Sequence, residues 1–246
     1  MTRSRALMLG LLALAGLASD PARAECGADV LGTSRTLTLP REAAGYGVPQ
    51  HDALPLAAGE VVLTFDDGPH PGSTNQVLAA LREQCVRATF FMVGEALARD
   101  PALARQVRAE GHSTGLHGNT HAHAPAQSAS EQLADLKAVQ DAYQRTFGVA
   151  APAWRFPFLE ETPTLIQALG AQAITVMSVD VAIDDWLPAQ SPRMLADRLV
   201  ERLSKAGRGI ILMHDAQDQT AAALPLLLST LKARGYRVVH LEWAPV

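Results

Sequence analysis

Two adjacent carboxylates, Asp66 and Asp67, and two histidines four residues apart, His117 and His121, are the residues of this chain best suited to chemistry. Two imidazoles and one carboxylate make the three-ligand set of a hydrolytic zinc site, which leaves one position open for water. With one aspartate on the metal, the other is free to move a proton. The i, i+4 spacing of the histidines would put both rings on one side of a helical turn. A histidine-rich stretch such as 117–123 is also often just a solvated loop, and His121-x-His123 offers a second ligand pairing. Further along stand Arg155, Asp180, Asp185, His214 and Asp215.

Elements must bring these groups together, and the pattern from residue 60 onward supplies them. Apolar, β-rich runs are predicted as strands at 61–65, 88–93, 113–116, 154–156, 173–179, 209–213 and 236–241. Helical patterns alternate with them, at about 74–84, from after Val93 through Arg108, and at 130–147, 163–169, 192–205 and 220–234. Several end at a glycine (Gly111, Gly148, Gly170, Gly235), the usual helix stop. Seven uninterrupted apolar strands alternating with helices imply parallel pairing with both faces covered, as a barrel or an open doubly wound sheet. No glycine-rich phosphate loop follows a strand, which argues against a nucleotide-binding sheet. In this frame the polar residues singled out above fall in or just after strands, where α/β barrels and sheets build their sites.

The first 24 residues read differently. Arg3 and Arg5 precede 13 apolar residues, Ala6 to Ala18, and Ala22-Arg23-Ala24 closes the stretch with small residues. That pattern predicts a secretory leader, 1–24, cut before Glu25; the run is too short for the roughly 20 residues that span a bilayer. The expected destination is outside the cytoplasm, with the periplasm preferred, and no stable membrane anchor after cleavage. Removing a leader of net +2 takes the chain from −4 to −6. An acidic chain with no basic stripe is not expected to bind nucleic acid. Residues 25–59, rich in glycine, proline and alanine, are expected as an N-terminal extension packed on one domain, 60–246. Cys26 and Cys85 are the only cysteines, and in an oxidising compartment they are expected to be bridged.

The run Thr64-Phe65-Asp66-Asp67-Gly68-Pro69 resembles the first motif of the polysaccharide deacetylases, the NodB-homology family. His117-Gly118-Asn119-Thr120-His121, Arg155-Phe156-Pro157-Phe158, Asp185-Trp186 and Leu212-Met213-His214 resemble the other four, in family order. The resemblance implies a distorted (β/α)7 barrel and metal-dependent removal of N-acetyl groups from an N-acetylglucosamine-type glycan. It also implies roles. Asp67, His117 and His121 would hold a divalent metal, most often zinc. Asp66 would be the base, paired with Arg155, and His214 the acid, oriented by Asp185. A backbone N–H near Phe158 would support the oxyanion, and Trp186 and Leu212 would line the pocket for the acetyl methyl. Gly118 stands where the family usually has serine or threonine, which removes a hydroxyl that could brace the histidine loop. Rival expectations are a hydrolase of a small cyclic amide or imide on the same fold, and a non-catalytic carbohydrate-binding protein.

Overall fold

The computed structural model describes residues 26–245 apart from Ala28 and Pro49; the expected leader, 1–24, lies outside the described residues. The seven expected strands are present as β3 (Glu60–Asp66), β4 (Thr89–Met92), β5 (Ser113–Leu116), β6 (Ala153–Trp154), β7 (Thr175–Met177), β9 (Gly209–His214) and β10 (Arg237–Trp243). Three more join them: β1 (Thr33–Leu39), β2 (Gly45–Tyr46) and β8 (Val181–Ala182). All named pairings are parallel. Round the barrel the order is β8–β9–β3–β4–β5–β6–β7, and β2 lies against β7. Strand β8 continues β7 in the same direction after only three residues, so this one stretch holds β6 at its start and β9 at its end and closes the ring. Asp180, between the two, accepts Val48 N–H at 2.8 Å and Ile210 N–H at 2.7 Å. The result is a single distorted barrel rather than an open sheet.

The N-terminal extension is thus part of the sheet, because β1 and β2 both fall within it. Strand β10 meets the start of β3 at Glu60 and Val61. Farther along, Leu241 O takes the Ser113 hydroxyl at 2.6 Å, and Trp243 Nε1–H reaches Thr175 Oγ1 at 3.1 Å. Strand β10 therefore crosses beneath β4 to β7, and β1 follows it, sealing the amino-terminal mouth. Inside are Leu39, Leu54, Leu56, Val62, Phe91, Ala153, Met177, Ile210, Val239 and Leu241, all buried.

Among the described residues seven α-helices cover the outside: α1 (Ser73–Glu83), α2 (Gly94–Arg99), α3 (Pro101–Ala109), α4 (Ala129–Phe147), α5 (Pro163–Gly170), α6 (Pro192–Ala206) and α7 (Asp218–Ala233). Their starts follow from capping chemistry. Thr162 and Ser191 accept an N–H of the first turn and precede a proline, whose fixed φ suits the first helical position. Ser128 and Glu131 form a reciprocal capping box for α4. The single helix expected through Arg108 is broken, because Pro101 pushes Asp100 out of the helical region and Asp100 then caps α3. Cys26 and Cys85 are disulfide-bonded, tying the start of the extension to the turn after α1. Among the described residues no helix is long and apolar enough to cross a membrane.

Candidate active site

Side-chain alternation along β3 explains what fills the barrel. Val62, Thr64 and Asp66 share the inward face, so the interior is apolar at its base and polar towards its carboxyl mouth. Arg155 enters just after β6, one residue beyond the strand in which it was expected, and no part of it is exposed. Its guanidinium donates to Met177 O (3.0 Å), Ser178 O (3.0 Å), Thr64 Oγ1 (2.7 Å) and Asp66 Oδ1 (2.8 Å), and lies 4.3 Å over the Phe91 ring. A buried charge survives only when paired and hydrogen-bonded in this way. Burial still works against both partners. It pushes Asp66 above the usual carboxylate range although Arg155 and His214 pull it down, and it lowers Arg155.

Asp67 leaves the strand at φ 76, a turn that aims its carboxylate back over the mouth. Asp67 Oδ1 lies 3.4 Å from His117 Nε2 and 3.3 Å from His121 Nε2. One ligand atom from each residue lies within 4.8 Å of the others, and Asp67 Oδ1 is buried without a hydrogen bond. An orphaned carboxylate oxygen between two imidazole nitrogens fits a divalent cation. Burial outweighs the Asp67 charge and pulls His117 down to about 3, so its ring is neutral. Its Nδ1–H donates to Arg155 O at 2.9 Å, which leaves the Nε2 lone pair facing Asp67.

The histidines do not share a helical turn. Residues 117–121 form a loop with Gly118 at φ 71 and His121 at φ 55. Glycine is suited to that left-handed position, and the brace expected from a hydroxyl there comes from Asp135 on α4. Its carboxylate takes Asn119 N–H at 2.8 Å, Thr120 N–H at 3.3 Å and the Thr120 hydroxyl at 3.0 Å.

Across the mouth, His214 ends β9 in register with Asp66 on β3. The three neighbouring aspartates separate by partner. Asp180 holds the Val48 and Ile210 N–H groups, Asp184 pairs with Arg202 at 2.6 Å, and Asp185, fully buried, meets His214 Nδ1 at 2.8 Å. Asp185 Oδ2 also accepts His214 N–H (2.7 Å) and the Thr220 hydroxyl (2.5 Å). Burial pulls His214 down, but the bond and charge of Asp185, aided by Asp66 and Asp67, prevail and push it up to about 9. Asp215 is buried beneath the loop that follows Asp67, holding Gly68 N–H at 3.0 Å and the Thr74 hydroxyl at 2.5 Å. The Trp186 ring stands edge-on to His214 at 5.5 Å, and Leu212 lies between Thr64 and Ala182 in the sheet. Phe158 is half exposed, edge-on to His121 at 4.5 Å and stacked on His123 at 3.8 Å. His123 is thereby engaged by Phe158 and by Glu160 at 2.9 Å, away from the three-residue cluster. Asp135 and Thr220 were not singled out from sequence, and Thr64 was named only as the start of a motif, with no role attached.

Two imidazoles with a carboxylate, a buried carboxylate held by arginine, and a charged imidazole held by aspartate converge on one mouth. Comparison with known proteins agrees with that chemistry. The profile of the family described as polysaccharide deacetylase matches residues 54–177. A chitin deacetylase of Colletotrichum lindemuthianum is 31% identical over 192 residues, covering 74% of this chain and 77% of its own. A peptidoglycan-N-acetylglucosamine deacetylase of Listeria monocytogenes is 30% identical over 182 residues, covering 74% of this chain but only 38% of its own. Among solved structures, a Bdellovibrio bacteriovorus peptidoglycan deacetylase superposes with a TM-score of 0.76 at 33% identity, covering 86% of this chain and 59% of that one.

Proposed function

The chain belongs to the polysaccharide deacetylase family, and from that premise we propose that it is an exported, metal-dependent N-deacetylase of an N-acetylglucosamine-type glycan. The observation that carries the reading is the Asp67–His117–His121 cluster, flanked by the Asp66–Arg155 and His214–Asp185 pairs. Asp67, His117 and His121 hold the metal, for which zinc suits the two-nitrogen, one-oxygen set. A bound divalent metal supplies Lewis acidity and a water of lowered pKa, about 7 in zinc enzymes.

The chain's own residues do the rest. Asp66 takes the proton of the attacking water, and Arg155 fixes the orientation of its carboxylate. Its raised pKa makes it a stronger base once ionised, and a neighbouring dication favours that ionised form. His214, held protonated by Asp185, gives its proton to the departing amine nitrogen. The Phe158 N–H is the donor for the developing oxyanion, and Trp186 and Leu212 enclose the acetyl methyl. The leader-like first 24 residues support export, with the periplasm as the compartment.

The test is acetate release by residues 25–246 from a panel of N-acetylated glycans, with and without a chelator. Chelator-sensitive release is the expected result. No release from any glycan by metal-loaded protein would overturn the assignment and favour a small-amide substrate or a binding role.

A further inference from the structure

Segment 45–52 lies ahead of the stretch that the family profile matches, yet it reaches the mouth of the barrel. Tyr46 O takes Ser178 N–H at 2.7 Å, next to the bond from Val48 N–H to the Asp180 carboxylate. Gly47, at φ 114, leaves no room for a side chain, since a Cβ there would stand 2.6 Å from the Ser178 carbonyl carbon and Val179 N. This close approach sets Gln50 between two parts of the site. Its amide oxygen accepts the Ser178 hydroxyl, and its amide nitrogen donates to Leu159 O at 2.8 Å. One residue on, His51 Nε2 meets Glu161 Oε1 at 2.6 Å.

Both ends of the Gln50 bridge matter to the proposed chemistry. At one end, Met177 and Ser178 present the carbonyls that hold Arg155, the partner of Asp66. At the other, Phe158 and Leu159 lie consecutively in the left-handed region, at φ 56 and 58. Residues with a Cβ persist there only when their surroundings impose it. The direction of the Phe158 N–H depends on that turn.

We infer that Gln50, seconded by His51, is a positioning residue for the active site: it ties the Phe158–Leu159 turn to the end of β7, so that the N-terminal segment completes the mouth of the barrel. The inference rests on the oxyanion role of the Phe158 N–H proposed above. Three measurements test it, on Gln50→Ala and Gln50→Glu. The glutamate keeps an acceptor for Ser178 and loses the donor to Leu159, so it should behave like alanine. Steady-state kinetics of the metal-loaded enzyme should show kcat lower by about tenfold with KM nearly unchanged, as expected when a catalytic group is misplaced. Bound metal should be unchanged. Amide exchange at Leu159 and Glu160, whose N–H groups bond within this turn, should accelerate by about tenfold or more as the turn opens locally.

Unaltered exchange in both variants would overturn the inference, as would lowered activity explained by lost metal. If the wild-type enzyme releases no acetate, the deacetylase reading fails by itself, and the exchange rates still decide whether Gln50 fastens the turn.

Discussion

Asparagine in place of Asp185 perturbs the acid half of the mechanism while nearly preserving shape. His214 is 13% exposed, and its Nδ1 sits 2.8 Å from Asp185 Oδ1. Burial alone would hold the imidazole below its ordinary 6.5, and Asp185 is the main reason it stands at about 9. Asp185→Asn leaves burial in place and removes that charge, so His214 returns to 6.5 or lower. The difference corresponds to about 3 kcal/mol at 1.36 kcal/mol per unit. At about pH 8 it leaves roughly thirtyfold less of the acid form. The assay is kcat/KM of the metal-loaded enzyme across pH, whose alkaline limb reports the essential acid of the free enzyme. A bound dication lowers the limb in wild type and variant alike, so the separation between them, about two units or more, is the measured quantity. Coincident alkaline limbs would refute the assignment of His214 and Asp185. The same pair sets a stability window. A folded pKa above the unfolded value gives stability that is full below pH 6.5 and lost as pH rises through about 9. The wild-type melting temperature should fall across that window more steeply than that of the variant.

Asp66→Asn should keep its bound metal, because Asp67, His117 and His121 are untouched, while turnover falls by about 10²–10⁴ as expected for loss of a general base; activity near wild type would remove Asp66 from that role. Asp135→Ala frees the loop between the two histidine ligands and should weaken metal affinity by about 10–100-fold, read by chelator competition, and an unchanged affinity would refute the bracing. His112 and His240 are pulled by burial to about 4 and about 3. Their contribution is therefore present above 6.5 and lost as pH falls, by about 2 kcal/mol each at about pH 5. Unfolding by urea should show His240→Leu losing less stability than wild type between about pH 7 and 5, and equal losses would contradict the reading.

Much of the barrel was legible because its strands are continuous apolar runs, β3 and β9 above all, and because polar residues appear where those runs stop. The strands that escaped notice had weaker signals. Strand β1 reads Thr-Ser-Arg-Thr-Leu-Thr-Leu and is partly exposed, while β2 and β8 have two residues each, too few to show a period. The spacing of His117 and His121 was suggestive for the wrong local reason, since a glycine-bent loop rather than a helical turn brings them together. Choosing among Asp180, Asp184 and Asp185 needed three-dimensional partners, because all three follow the same apolar run. Asp135 and Gln50 left no trace in any pattern: the groups each one bonds lie well away from it in sequence.

The pairing of β1 with β10 carries a consequence for how the chain assembles. Position 33 lies beside 238 and position 39 beside 243, so among the described residues the first strand waits for the last. Until Arg237–Trp243 exists, β1 and the start of β3 lack this neighbour, and the apolar floor of the barrel is open to water. Closure of this sheet therefore rests on some of the longest-range, and hence slowest, contacts to form. The earliest strand described here finds its place only through the latest.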